Sequence, residues 1–255
     1  MEPDDTEPSE RYQRELKEAQ GAFSIFKRLL RRGTRVPVPI KGLHTSVALL
    51  QGLNDDDELE MSGTAYLISS KVAVTAGHCV KDTKFPGESN EAASVRLWFG
   101  YSKEKPTPRV VSKRFSVHPD YNFKTKSGPD VALIFLDDNQ SSVPIALGST
   151  VDWDDEPSVS CTGYPGRGTH WGGSTQIFFD PTSGRRSGRQ ARYRMKTYSG
   201  MSGGLVWSPE RPGIGQGVHL SWNSSEELAR CFIADSALMR WVETSISENK
   251  IGLLT

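Results

Sequence analysis

Val72-Ala73-Val74-Thr75-Ala76-Gly77-His78-Cys79 opens on small and β-branched apolar residues and ends beside a histidine. An apolar run this short, rich in β-branched residues, reads as a buried strand. Gly77 lets the backbone turn at the strand end. The imidazole of His78 then stands where it can reach a cleft. A histidine suits the role of general base, because its ordinary pKa of about 6.5 lies near neutral pH. His44, His118 and His170 have no comparable neighbourhood and read as structural or surface histidines.

Two other segments complete a chemical set. Gly128-Pro129-Asp130 leads into the apolar run Val131–Leu136. An aspartate at the mouth of a buried strand is costly unless it is hydrogen-bonded. The ring N–H of His78 would satisfy Asp130, and the carboxylate would fix the ring tautomer. Asp137 and Asp138, at the far end of the same run, read as turn residues. Gly200-Met201-Ser202-Gly203-Gly204 surrounds a serine with residues that lack a Cβ, so the backbone can take left-handed conformations and approach a substrate closely. The N–H groups of Gly200 and Ser202 would form an oxyanion hole, where one donor is worth roughly 10²–10³ in rate. Each segment alone reads equally well as a turn or a structural residue. Taken in the order His, Asp, Ser they supply a nucleophile, its base and the orienter of that base.

Together the segments resemble the chymotrypsin/trypsin-like serine peptidases. The match rests on TAGHC around His78, HPDYN at His118–Asn122, DVALI from Asp130 and GMSGG around Ser202, and it covers about residues 40–245. The resemblance implies an all-β fold of two six-stranded antiparallel β-barrels, with His78 and Asp130 on the first and Ser202 on the second. It implies a serine endopeptidase, a hydrolase acting on protein or peptide substrates as a monomer, without cofactor or metal. Two departures stand out. Met201 occupies the position where trypsins carry an aspartate that binds the new N-terminal ammonium. Cys79 would have a disulfide partner sixteen residues upstream, yet Ser62-Gly63-Thr64-Ala65 holds no cysteine.

A nearer resemblance is to the bacterial glutamyl endopeptidases. It is carried by Gly163-Tyr164-Pro165-Gly166, by Thr197 five residues before Ser202, and by Gly217-Val218-His219. It implies that Thr197 and His219 line the specificity pocket and hold a substrate carboxylate, giving a preference for Glu or Asp before the scissile bond. Arg194 and Lys196 would add positive potential. A competing register aligns His219-Leu220-Ser221-Trp222 one residue differently, and one step along a strand turns His219 to the opposite face.

The bulk numbers agree with this class. The 255 residues carry no formal net charge, so no global field favours nucleic acid or a membrane. With 24 glycines and 15 prolines and 36% hydrophobic residues, the chain suits a turn-rich β protein better than a helical bundle. The three cysteines, Cys79, Cys161 and Cys231, leave at least one free thiol. Cys161 and Cys231 could pair, but three buried thiols is the simpler expectation. No stretch of about 20 apolar residues marks a membrane span.

Residues 1–35 form an N-terminal extension, 36–140 the first barrel, and 141–255 the second barrel with a closing helix over Ser236–Glu248. In the extension, residues 1–8 read as disordered, and Tyr12, Leu16, Phe23, Phe26 and Leu30 recur at helical spacing after Ser9. That helix reads as a propeptide, a membrane-surface helix, a partner-binding arm or an amphipathic helix packed on the barrel. Arg31, Arg32 and Arg35 precede Val36-Pro37 and offer a processing site. Met1–Gln20 is acidic and polar, unlike a secretory signal, whereas relatives are often secreted. The acidic stretch Asn54–Glu60 could offer oxygens to Ca²⁺ but lacks a full calcium-loop pattern, and a solvated hairpin tip is the simpler reading. Pro181–Gln190, with Arg185, Arg186 and Arg189, is a basic loop that could steer acidic substrates, and a mobile surface hairpin is the simpler reading. Two rivals to an active peptidase remain: a catalytically silent homologue that binds partners, and a latent form blocked by residues 1–35.

Overall fold

The computed structural model describes residues 34–35, 42–85, 87, 89–102, 106–166, 176–179 and 181–251. The helix expected after Ser9 and the disordered start fall outside these residues, as does His170. Strand β1 (Thr34–Arg35) comes first in the chain and pairs with the second barrel rather than the first.

Short strands rich in Val, Ala, Leu and Ile build the first barrel. They are β2 (Val47–Leu53), β3 (Leu59–Ser69), β4 (Val72–Thr75), β5 (Ser94–Phe99), β6 (Val110–Ser112), β7 (Arg114–Val117) and β8 (Ala132–Phe135). They pair in the order β6-β5-β2-β3-β4-β8-β7, every pair antiparallel. This counts as seven strands, but only Lys113 separates β6 from β7. Ser112 spans the break: its hydroxyl donates to the Phe135 carbonyl at 2.6 Å and accepts from the Arg114 N–H at 3.0 Å. One bent strand thus pairs with β5 at one end and β8 at the other, which closes a six-membered ring. Both β4 and β8 are buried along their whole length, because their second face packs against the rest of the molecule.

The second barrel uses β9 (Ala146–Leu147), β10 (Ser158–Gly163), β11 (Ile177–Phe178), β12 (Thr182–Ser187), β13 (Gln190–Tyr193), β14 (Leu205–Ser208), β15 (Arg211–Asn223) and β16 (Leu228–Ile233). Six of these close a ring in the order β10-β12-β13-β16-β15-β14, which returns to β10 through Cys161↔Val206. β11 with β1, and β9, are short additions at its margins. The stretch 138–150 between the barrels thus contains one short strand, β9. The Pro181–Gln190 hairpin contributes β12 to the barrel wall. All three cysteines are free and buried.

Helix α1 (Ser236–Ile251) ties the two halves together. Asp235 caps it, accepting from the Leu238 N–H at 2.8 Å, and also receives two bonds from Arg189 at 2.9 and 3.0 Å. Leu238 and Val242, one turn apart, enter the hydrophobic cluster that runs from the first barrel across the interface. Trp241 packs against His118 at 4.9 Å between ring centroids. His118, found in the HPDYN segment, is thus structural. Among the described residues no helix is long and apolar enough to cross a membrane.

Asp235→Ala removes both a helix cap and the partner of Arg189. It should lower the unfolding free energy by about 1–2 kcal/mol, measured as a lower urea midpoint with an unchanged slope.

Candidate active site

The His78–Asp130 pair is built by β4 and β8, which are hydrogen-bonded neighbours through Thr75↔Ala132. A single 3-10 turn, Gly77–Cys79, follows β4 and carries His78. Asp130 lies two residues before β8. Its Oδ1 accepts the backbone N–H of His78 at 2.8 Å, and its Oδ2 lies 2.7 Å from the ring Nδ1. The carboxylate thus fixes both the backbone and the ring of the same residue, leaving the ring proton on Nδ1. Burial works against the imidazolium, while the neighbouring Cys79 sulfur and the Asp130 carboxylate favour it. The net effect holds the His78 pKa well above its ordinary value.

Ser202 stands on the turn before β14, and the backbone around it is left-handed at Gly200 (φ 90°) and Gly203 (φ 85°). A Cβ on Gly203 would lie 1.9 Å from the Thr64 carbonyl oxygen, so only glycine fits there. The turn is pinned to the first barrel through Thr64 on β3. The Thr64 N–H donates to the Ser202 carbonyl at 2.7 Å. Its hydroxyl donates to the Gly200 carbonyl at 3.0 Å and accepts from the Tyr164 N–H at 2.9 Å. The Cys79 thiol points at the same Ser202 carbonyl from 3.6 Å. Gly63 occupies the position where a disulfide partner of Cys79 would stand. A Cβ there would lie 2.6 Å from the Cys79 sulfur.

The Ser202 hydroxyl donates to the Leu220 carbonyl at 2.9 Å. No hydrogen bond joins it to His78 among the described residues. The Leu220 carbonyl is aimed by a β-bulge in β15. His219 pairs with Cys231 and Ser221 with Arg230, which leaves Leu220 as the extra residue. On either side of the turn, Gly203 N–H donates to the His219 carbonyl at 2.7 Å and His219 N–H to the Gly204 carbonyl at 2.8 Å. The N–H groups of Gly200 and Ser202 carry no hydrogen bond among the described residues.

His78, Asp130 and Ser202 line one cleft of about 380 Å³, together with Thr197, His219 and Trp222. The two candidate pocket residues therefore do reach the cleft. The bulge explains the ambiguity of the sequence at this point, because period-two reasoning fails across an extra residue. His219 is buried, and its Nδ1 lies 2.7 Å from the Tyr193 hydroxyl. Burial, with a smaller push from His78, lowers its pKa to about 3. Thr197 is 2% exposed, and its hydroxyl has no partner among the described residues. Buried Trp222 Nε1 is likewise unpartnered. Residues that the sequence alone did not single out are Thr64, Leu220 and Tyr193. No group of three or more His, Cys, Asp or Glu among the described residues could hold a metal. The tip of the acidic loop is organised instead by Asn54, whose Oδ1 accepts from the N–H groups of Asp56 and Glu58 at 3.1 and 2.9 Å.

Two six-stranded antiparallel rings, with a histidine–aspartate pair on one and a serine in a glycine turn on the other, define the two-barrel serine peptidase fold. Residues 47–182 match the Trypsin family profile, and the chain belongs to that family of trypsin-like serine proteases. The matched span holds His78 and Asp130 and stops short of Ser202. Solved structures share the fold. A Glu endopeptidase in complex with MPD matches with a TM-score of 0.71 and 21% identity, over 84% of this chain and 95% of the other. The HL collagenase matches at 0.68 and 17%, over 86% and 99%. The scabies mite inactivated protease paralogue S-I1 matches at 0.66 and 13%, over 86% and 100%. No curated protein sequence gives a significant match.

Two predictions follow from this geometry. Thr64→Val keeps the shape of a fully buried side chain but strips the Gly200 carbonyl and the Tyr164 N–H of their partner. It should cost about 1–3 kcal/mol in denaturant unfolding, while Thr64→Ser should stay within about 1 kcal/mol of the parent. His219 has a depressed folded-state pKa, so the unfolded chain binds the extra proton. The stability that its neutral ring supplies is complete above about pH 6.5 and is lost as pH falls toward 3. His219→Gln should flatten the pH dependence of unfolding in that window by up to one proton, about 1.4 kcal/mol per pH unit.

Proposed function

We propose that this chain is a serine endopeptidase acting through His78, Asp130 and Ser202. The observation that carries the reading is the pair of hydrogen bonds that the Asp130 carboxylate accepts from the backbone N–H and ring of His78, in the same cleft as Ser202. Asp130 holds the Nδ1 proton, so Nε2 is left as the basic lone pair facing the cleft. On substrate binding the Ser202 hydroxyl leaves the Leu220 carbonyl and turns to Nε2. Such bonds commonly form only in the substrate complex. Ser202 Oγ attacks the peptide carbonyl as its proton passes to Nε2. The oxyanion that forms is received by the free N–H groups of Gly200 and Ser202. The imidazolium, stabilised by Asp130, then gives its proton to the leaving amine, and a water repeats the steps to release the acyl group.

We further propose a preference for Glu or Asp before the scissile bond. Thr197 offers an unpartnered hydroxyl, and a neutral His219 whose Nδ1 accepts from Tyr193 carries its proton on Nε2. Both would donate to a substrate carboxylate. Burying that carboxylate is tolerable only because both donors are otherwise unsatisfied. The Glu endopeptidase among the structural neighbours supports the same direction.

A fluorophosphonate should label the full chain, and Ser202→Ala should abolish labelling. Turnover of a Glu-containing peptide should exceed that of its Gln counterpart. Thr197→Val and His219→Ala should each reduce that ratio by about tenfold or more. Folded protein that neither labels nor cleaves would sink the peptidase reading in favour of a silent homologue. Labelling only after removal of residues 1–35 would make that segment an inhibitor. An unchanged Glu preference in both pocket variants would overturn the assignment of the pocket.

A further inference from the structure

Outside the cleft, the wall of the second barrel carries an arrangement that folding alone does not favour. Residues 191–197 alternate strictly between buried and exposed, so Arg192, Arg194 and Lys196 share the outer face. Cross-strand pairing extends this face sideways. Arg185 on β12 is directly opposite Arg192 on β13, and Arg192 is directly opposite Arg230 on β16. Three arginines thus form a row across three hydrogen-bonded strands, spanning about 10 Å at the usual strand spacing. Like charges placed directly opposite one another destabilise a sheet. One carboxylate offsets the row, Glu226, at 3.8 Å from Arg192. No carboxylate pairs with Arg185, Arg194, Lys196 or Arg230 among the described residues. The chain as a whole has no net charge, so composition does not account for this concentration.

The row runs into the cleft. Arg230 donates to the Ser221 hydroxyl at 3.0 and 3.3 Å, and both residues line the cleft with Trp222. Lys196 sits over the Trp222 ring at 5.7 Å. A polypeptide leaving the cleft past Ser221 would pass directly along the arginines.

We propose that Arg185, Arg192 and Arg230, flanked by Arg194 and Lys196, form a docking surface for an acidic segment of the polypeptide substrate. This surface adjoins the cleft of Thr197 and His219 at Arg230 and extends away from it over Arg192 and Arg185, and the proposal rests on the peptidase reading. The occupant is an acidic peptide because its carboxylates complement a row of guanidinium groups that has a single carboxylate, Glu226, beside it among the described residues. The face also lacks the row of exposed aromatics on which nucleic-acid bases stack.

The test uses the full chain carrying Ser202→Ala and a fluorescent Glu-rich peptide, read by anisotropy at low and high salt. Arg185→Gln with Arg192→Gln should weaken binding by about fivefold or more and flatten its salt dependence. The melting temperature should hold or rise, because like-charge pairs are removed. With Ser202 present, the same double variant should cleave a short peptide without acidic flanks at the parent rate and lose activity only on the acid-extended one. Equal binding by parent and double variant would overturn the proposal. So would a single-stranded nucleic acid that binds as tightly as the peptide through the same arginines. Arginine-dependent binding in a protein that cleaves nothing would end the peptidase reading and leave the docking surface standing.

Discussion

Thr64 is the residue on which the geometry of the cleft depends. It belongs to the first barrel, yet its N–H and hydroxyl both hold the turn that carries Ser202, at 2.7 and 3.0 Å. The same hydroxyl accepts the Tyr164 N–H from the end of β10, so one oxygen joins three segments. The Thr64 carbonyl accepts from Thr75, the last residue of the strand that leads to His78. One fully buried residue therefore sets the Ser202 turn and the strand before His78 in a common frame. The absence of a Cβ at Gly203 is what allows the turn to come this close. A shift of even one methylene at such a contact is felt in a close-packed interior.

Within that frame two imidazoles face the same cleft and are driven apart electrostatically. His78 has a carboxylate on its ring and backbone and is held above its ordinary pKa. His219 has only a tyrosine hydroxyl and deep burial, and it falls to about 3. Groups pushed in opposite directions by their surroundings take opposite roles. The first is suited to accept a proton and carry charge through a reaction. The second stays neutral and is suited to donate a hydrogen bond without competing for the proton.

Much of this could be read from the chain. The run Val72–Thr75 became a strand, because a short apolar stretch rich in β-branched residues is too short for a helix and is buried in a sheet. His78 and Asp130 were legible because a polar residue at the end of a buried strand demands a partner. Elsewhere the signal was absent for physical reasons. Thr182–Ser187 presents charged residues outward, and inward only Gly184, whose missing side chain makes room for Trp153, so no hydrophobic period marks it. Val110–Val117 is interrupted by Lys113 and held by the Ser112 hydroxyl rather than by apolar alternation. The facing of His219 depends on an extra residue at Leu220, which only the pairing with β16 reveals. Thr64 looks like any small residue in an apolar strand, and its hydroxyl's partners lie a hundred or more positions away.

The ring of the second barrel closes only when β10 meets β14, and the Ser202 turn needs both Thr64 behind it and His219 and Leu220 ahead of it. This imposes an order in time on a chain that emerges from the ribosome N-terminus first. His78 and Asp130 can be in place once β8 has been made. The Ser202 turn has no shaped backbone until β15 and β16 follow, within the last fifth of the sequence. A chain caught part-way through synthesis therefore carries a paired histidine and aspartate with no serine turn beside them.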